Sequence, residues 1–301
     1  MSSILTNILS ALALLPVLMH VTVLHAQSCD VVAVRSFNST PYTNAIKGFE
    51  ASSKCSVSII DSDAGRATIL REVREKEPDA VLAVGQDALK IVQSITDIPV
   101  FFTMVVVSEL QASRFPSNFH GLSMEPNPES HAKTLSELFQ KGSMVGILYD
   151  PQHLKEFVVE VKGYLEDRGM KTTFKEVTNA TSVASAIESL KDRIDVLWMP
   201  ADTTIANEET MRAAMLFSIK NRIPVYTFSR KYVEKGAFAA LQTAPYDLGL
   251  QLGEAAAKVI KGKTLSRRFD YPVKHTLLLN RKMAKRFGID LNMTRKTAFV
   301  E

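Results

Sequence analysis

Apolar runs of four to six residues, rich in Val, Ile, Leu and Ala, recur along the chain, and most are followed by a stretch with the spacing of an amphipathic helix. In the first half this pattern predicts strands at residues 31–35, 57–61, 80–84 and 100–103, with helices at 42–54, 64–77 and 87–95. In the second half it predicts strands at 145–149, 172–176, 196–199 and 225–228 and helices near 154–168, 182–190 and 208–220. A helix at 246–261 and more strand pattern at 276–279 follow. Strands that are apolar throughout, each followed by a helix, need cover on both faces, which is the property of a parallel sheet in an α/β fold.

The second half restates the first. Asp79-Ala80-Val81-Leu82 returns as Asp195-Val196-Leu197-Trp198, and Ile98-Pro99-Val100-Phe101 as Ile223-Pro224-Val225-Tyr226. Lys47-Gly48-Phe49 corresponds to Lys162-Gly163-Tyr164, again within a helical pattern. The three pairs keep their order and a similar spacing, as a duplicated unit requires. The expected architecture is therefore two doubly wound, Rossmann-like lobes with a ligand cleft between them, and Glu125-Pro126-Asn127-Pro128 breaks the chain where they join.

Composition narrows this little. With 301 residues, 46% hydrophobic and 23% charged, the chain is an ordinary globular one with room for about two domains. Lys and Arg number 36 against 32 Asp and Glu, and no basic stripe with interleaved aromatics stands out, so no nucleic-acid partner is expected. The N-terminus changes more. No charged side chain occurs before Asp30, the stretch from Ile4 to Leu24 is apolar, and His25-Ala26-Gln27 follows. This reads as an export leader, residues 1–26, cleaved after Ala26 to leave a periplasmic protein, with a retained membrane anchor as the competing reading.

Cys29 and Cys55 are the only cysteines. An even count in an exported chain favours a disulfide, and both precede the first two strands by a similar margin. A lipid anchor on Cys29 is the alternative, although Ala26-Gln27-Ser28 lacks the Leu-small-small pattern it needs; two buried thiols are the other.

In an open α/β sheet, ligands bind beyond the carboxyl ends of the strands. That rule selects Ser36, Asn38, Ser39, Tyr42, Gln86, Asp87 and Thr103 from the first lobe and Tyr149, Asp202, Thr203, Ser229 and Gln242 from the second. Phe37, Tyr149 and Phe228 would supply aromatic walls. Such a set suits a small polar solute held by charge-assisted hydrogen bonds. Asp202 is the expected main charged contact, with Asp87 its counterpart in the repeat. Against this stands the habit of Ser, Thr, Asn and Asp of following strands because they cap helices.

Enzyme signatures fail. His120, His131, His153 and His275 have no metal-ligand partner at helical spacing. Gly262-Lys263-Thr264 resembles the end of a phosphate-binding loop but has Ala257 where the loop needs glycine, and it closes a helix. No catalytic residue, metal or cofactor is expected.

Tyr149-Asp150-Pro151, Met199-Pro200-Ala201-Asp202-Thr203-Thr204, Lys235-Gly236-Ala237, Tyr246-Asp247-Leu248-Gly249 and Val259-Ile260-Lys261-Gly262-Lys263 together resemble the ABC-transporter substrate-binding proteins of the tryptophan/tyrosine type. The resemblance runs from about Cys29 to Leu291. It implies a type I periplasmic binding fold with three crossovers, residues 27–123 plus 244–264 in lobe one and 124–243 plus 265–301 in lobe two. It further implies a monomer that captures a small polar or amino-acid-like solute and passes it to an ABC permease in the membrane. A sensor-adaptor for a signalling receptor and a two-lobed enzyme are the alternatives. Two segments depart from the family's pattern: Asp61-Ser62-Asp63 where members carry Asn-Ala-Gln, and Met104-Val105-Val106-Val107-Ser108 where they carry a Thr-Asp-Pro-like turn. The resemblance therefore implies a fold and a delivery role and leaves the solute unnamed.

Overall fold

A computed structural model of the chain describes residues 29–291 and 297–300; the expected leader lies outside them. The first repeat runs β1 (Asp30–Arg35), α1 (Thr40–Ser53), β2 (Ser56–Asp61), α2 (Arg66–Lys76), β3 (Ala80–Val84), α3 (Gln86–Val92), β4 (Val100–Thr103), α4 (Glu109–Ser113) and β5 (Phe119–Leu122). α5 (Pro128–Leu138) leads into the second: β6 (Met144–Tyr149), α6 (Pro151–Asp167), β7 (Lys171–Glu176), α7 (Val183–Glu188), β8 (Val196–Trp198), α8 (Glu208–Asn221), β9 (Val225–Thr227), α9 (Arg230–Glu234) and β10 (Ala239–Gln242). The chain ends with α10 (Pro245–Ile260), β11 (Phe269–Asp270), β12 (Thr276–Asn280), α11 (Arg281–Phe287) and β13 (Thr297–Val300).

Two sheets result, ordered β11-β5-β4-β3-β1-β2 and β13-β12-β10-β9-β8-β6-β7. Five strands of each follow one order, β5-β4-β3-β1-β2 and β10-β9-β8-β6-β7, so the duplication legible in the sequence is a duplication of topology. Its aspartates do the same work in both halves. Asp79 Oδ2 accepts the Asp30 N–H at 2.8 Å, and Asp195 Oδ2 accepts the Met144 N–H at 2.7 Å, each tying the start of one central strand to its neighbour. All pairings are parallel except β10 with β12.

The disulfide is present: Cys29 and Cys55 are bonded, with their Cα atoms 4.5 Å apart. They stand just before β1 and β2, which pair in register from Asp30 with Ser56 onward.

Residues 123–127, 243–244 and 271–275 cross between the sheets. The lobe boundary set at residue 265 is corrected, because Phe269 and Asp270 pair with Gly121 and Leu122 and so belong to the first sheet. A two-residue strand carries no period that a sequence pattern can show.

α10 follows the second sheet but packs on the first lobe, where Leu248, Leu252 and Ala256 join Ala45, Ile46 and Phe49 of α1 in one core. The helices touch backbone to backbone. A Cβ on Gly48 would run into the Tyr246 carbonyl, and one on Gly249 into the Ala45 carbonyl. Gly163, the repeat counterpart of Gly48, is exposed on α6 with nothing within 4 Å. Gly249→Ala is therefore expected to lower stability by about 1–3 kcal/mol. Gly163→Ala is expected to raise it by about 0.5–1 kcal/mol through better helix propensity. Thermal melts of the two variants, displaced in opposite directions, check the pair.

Candidate functional site

The carboxyl ends of both sheets face a cleft of about 1110 Å³. The first lobe contributes Phe37 from the β1–α1 turn, Tyr42 from the first turn of α1, Gln86 and Asp87 from the start of α3, and the apolar run of residues 104–107 after β4. Gln152, His153, Asp202, Thr203 and residues 228–232 face them from the second lobe, with Gln242 and Thr243 at the second crossover. Each wall carries an aromatic pair in edge-on contact: Phe37 with Tyr42, centroids 5.8 Å apart, and Phe228 with Tyr232, 5.2 Å apart. Phe37 is 56% exposed although it is a large apolar ring, so its face is open to whatever enters. Burial, and then the neighbouring Asp87, raises the Tyr42 hydroxyl above the usual tyrosine range, so it stands in the cleft as a neutral donor.

Two aromatic-walled lobes around a largely apolar cleft with polar side chains set into it point to a solute-binding protein, and the family comparison decides the matter. The profile described as ABC transporter substrate binding protein matches residues 47–295. The chain belongs to that family. A curated "Tyrosine-binding protein" from Clostridioides difficile (strain R20291) is 26% identical over 204 residues, which cover 65% of this chain and 57% of that relative. The chain thus spans rather more than half the length of the curated relative it matches. Among solved structures, the ligand-free, open form of a substrate binding protein with adhesive properties from Clostridium difficile superposes with a TM-score of 0.72 at 21% identity, covering 91% of this chain and 99% of that one. An ABC domain in complex with L-Trp from Streptococcus pneumonia gives 0.72 at 19% identity, covering 91% and 100%. The type I periplasmic binding fold and the two-lobed architecture follow.

Of the twelve residues selected from the sequence of this substrate-binding protein, Tyr42, Gln86, Asp87, Asp202, Thr203, Ser229 and Gln242 line the cleft. The other five are placed elsewhere. Ser36 Oγ accepts the Ala88 N–H at 2.9 Å and braces the start of α3. Ser39 is the residue before α1, and Asn38 is exposed outside the cleft lining. Thr103 is 1% exposed at the end of β4. Tyr149 points away, into the core under α6, and its hydroxyl donates to Glu176 at 2.8 Å. Burial and that carboxylate push the hydroxyl up to about 12. In the first lobe the matching strand ends hold Arg35 and Asp61, paired at 2.7 Å, so Tyr149 occupies a structural position of the repeat.

Asp202 reaches the cleft wall, but its carboxylate is already engaged. Oδ2 accepts the Asp150 N–H at 2.7 Å, while Oδ1 accepts the Thr204 N–H at 2.9 Å and lies 3.2 Å from His153 Nδ1. The helix that follows it, α8, is capped by Asn207 and not by Asp202. The Asp202 bonds tie the β6 and β8 loops together and occupy the carboxylate that was expected to be the solute's main charged contact. Asp150, His153 and Asp202 bring donor atoms within 4.8 Å of one another, but Gln152 N–H and the Thr204 hydroxyl also bond Asp150, which makes the group a hydrogen-bonded brace. The cleft carboxylate that accepts no hydrogen bond among the described residues is Asp87, 55% exposed, with Lys90 Nζ 4.0 Å from its Oδ1.

His153, Gln111 and Arg114 in the cleft lining were not selected from the sequence. His153 sits one turn inside α6, so the strand-end rule would have found it if extended by one helical turn.

Proposed function

We propose that this protein captures a small polar or amino-acid-like solute between its lobes, outside the cytoplasm, and delivers it as a monomer to an ABC importer without covalent chemistry. The observation that carries this reading is the cleft faced from each lobe by an aromatic pair with polar side chains beside it. Its volume exceeds what a small solute fills (ligand pockets run about 300–1,000 Å³), so binding draws the lobes together and shifts the population toward a closed form that a permease reads. Asp87 and Tyr42 serve as the first lobe's polar contacts, and Thr203, Ser229 and Gln242 as the second's. The names of the similar proteins make L-tyrosine and L-tryptophan the first solutes to try.

Native mass spectrometry of freshly purified protein identifies any retained solute, and calorimetry measures its affinity. Asp87→Asn is expected to weaken binding roughly tenfold or more, since a hydrogen bond to a charged group contributes about 1.5–3 kcal/mol. An Asp87→Asn variant with parental affinity, or turnover of the solute, would overturn the reading. Intact mass of the exported protein beginning at Gln27 tests the leader.

A further inference from the structure

The segment between β4 and β5 leaves its own lobe. Met104 has a left-handed backbone, φ 58°, in the cleft wall; the other non-glycine residues with positive φ are the helix caps Lys54, Glu77 and Arg222 and the turn residue Asp192. That conformation is uncommon for a long side chain and turns the chain across the cleft. Immediately afterwards, Val105 and Val107 enter the first lobe's core, while Val106 packs against the core of the second. One turn further on, Gln111 Nε2 donates to Glu156 Oε2 at 2.9 Å and to the His153 carbonyl at 3.3 Å, and Arg114 Nη1 donates to Glu156 Oε1 at 3.3 Å. Gln111 has no freedom to turn its amide round, because its Oε1 accepts the Ser108 N–H at 3.0 Å in the capping box of α4.

In the repeat, α4 corresponds to α9 and α6 to α1; Arg230, Lys231 and Tyr232 of α9 and Pro41 and Tyr42 of α1 line the cleft from opposite lobes. Among the described residues, no hydrogen bond or ion pair joins α9 to α1. The bonded pairing of α4 with α6 therefore has no hydrogen-bonded counterpart between α9 and α1 among the described residues.

We propose that residues 104–114 form a strap that holds the second lobe through Glu156, so that the lobes swing about this edge and the cleft opens at the edge between α1 and α9. Glu156 is then a positioning residue: it touches no solute, yet it lies one turn from His153, whose ring faces Asp202 and Thr203 in the cleft. Releasing the strap lets the solute-free lobes drift apart. Its Gln111 contact is a charge-assisted bond to a side chain only 24% exposed, whereas the Arg114 contact is largely in water and weaker.

The test needs no solute, so its outcome is independent of the function proposed above. Spin labels are placed at Thr40→Cys and Glu234→Cys, across the open edge, with the native disulfide intact. Pulsed dipolar spectroscopy then gives the interlobe distance distribution of the solute-free protein. Glu156→Ala is expected to shift that distribution outward by several ångströms and broaden it, and Glu156→Gln, which still accepts from Gln111, to fall between. Arg114→Ala is expected to produce a smaller shift in the same direction. Distributions identical to the parent's in both alanine variants overturn the proposal. Should Glu156→Ala fail to fold by circular dichroism, Glu156→Gln and Arg114→Ala decide it by the same criterion.

Discussion

Glu125→Ala is expected to cost about 1–3 kcal/mol of folding stability, the range for leaving a buried polar group without its partner. Glu125 lies in the first crossover and is 1% exposed. Its Oε1 accepts the Ala201 N–H at 2.8 Å, and its Oε2 lies 3.1 Å from Nε2 of the fully buried His131. The other imidazole nitrogen is 2.9 Å from the Tyr226 hydroxyl, and the ring lies against Trp198 with centroids 4.8 Å apart. Truncation leaves the half-buried Ala201 amide without its acceptor and removes the only carboxylate beside the buried imidazole among the described residues, and those unmet groups set the size of the effect. Burial and the nearby carboxylate raise the Tyr226 hydroxyl well above its ordinary range, so it stays protonated and cannot replace the missing charge. Glu125→Gln keeps an acceptor for Ala201 and should cost less. Trp198 is the sole tryptophan, so urea denaturation followed by its fluorescence reads the unfolding where the change is made. A loss below about 1 kcal/mol, the size of an ordinary surface change, would contradict the prediction.

The second large effect concerns the disulfide. Replacing both Cys29 and Cys55 by Ser is expected to destabilise the protein by about 3.5 kcal/mol, from the chain-entropy cost of closing a loop of this length. The separation is 26 residues. The bridge matters here because β2 is an edge strand that pairs with β1 alone, and its side chains are mostly part-exposed, Ile59 at 44%. Little apolar burial holds it, so fixing its first residue against β1 removes much of its freedom to peel away. Calorimetric scans of the variant, and of the parent with and without reductant, should show the same downward displacement. Parent scans that coincide in the two conditions would remove the bridge from the stability argument.

Most strands and helices were legible because buried parallel strands are short apolar runs and the covering helices keep a strict period. Asp79 and Asp195 made the repeat visible because each performs the same backbone bond. The elements that escaped include several with little pattern of their own, namely β5, interrupted by His120 and Gly121, the two-residue β11 and the five-residue α4 and α9; α5, β10, α11 and β13 were also not named. At the site, the strand-end rule named the right loops but could not say which way a side chain turns. Tyr149 and Asp202 are both polar residues at strand ends. One is turned into the core by the alternation of β6, and the other is enclosed by Asp150, His153 and Thr204, partners 49 to 52 residues earlier in two cases. The strap was hidden for a related reason, since the run from Met104 to Val107 looks like more strand until its alternate side chains are seen to enter different lobes.

The packing of α10 against α1 also sets the order in which the protein can be assembled. A chain made from its N-terminus has β1 to β5 long before it has residues 245–260, so the glycine face of α1 has nothing to close on until most of the second lobe has been synthesised. Contacts between elements this far apart in sequence form slowly, and the unfinished face is exposed in the meantime. Over that interval the 29–55 bridge, whose two ends emerge early and close together, is the one covalent restraint available to the incomplete lobe among the described residues. A release of the nascent chain before residue 260 would therefore yield a product with β1 to β5 but without β11 or a complete α10, and with no stable first lobe.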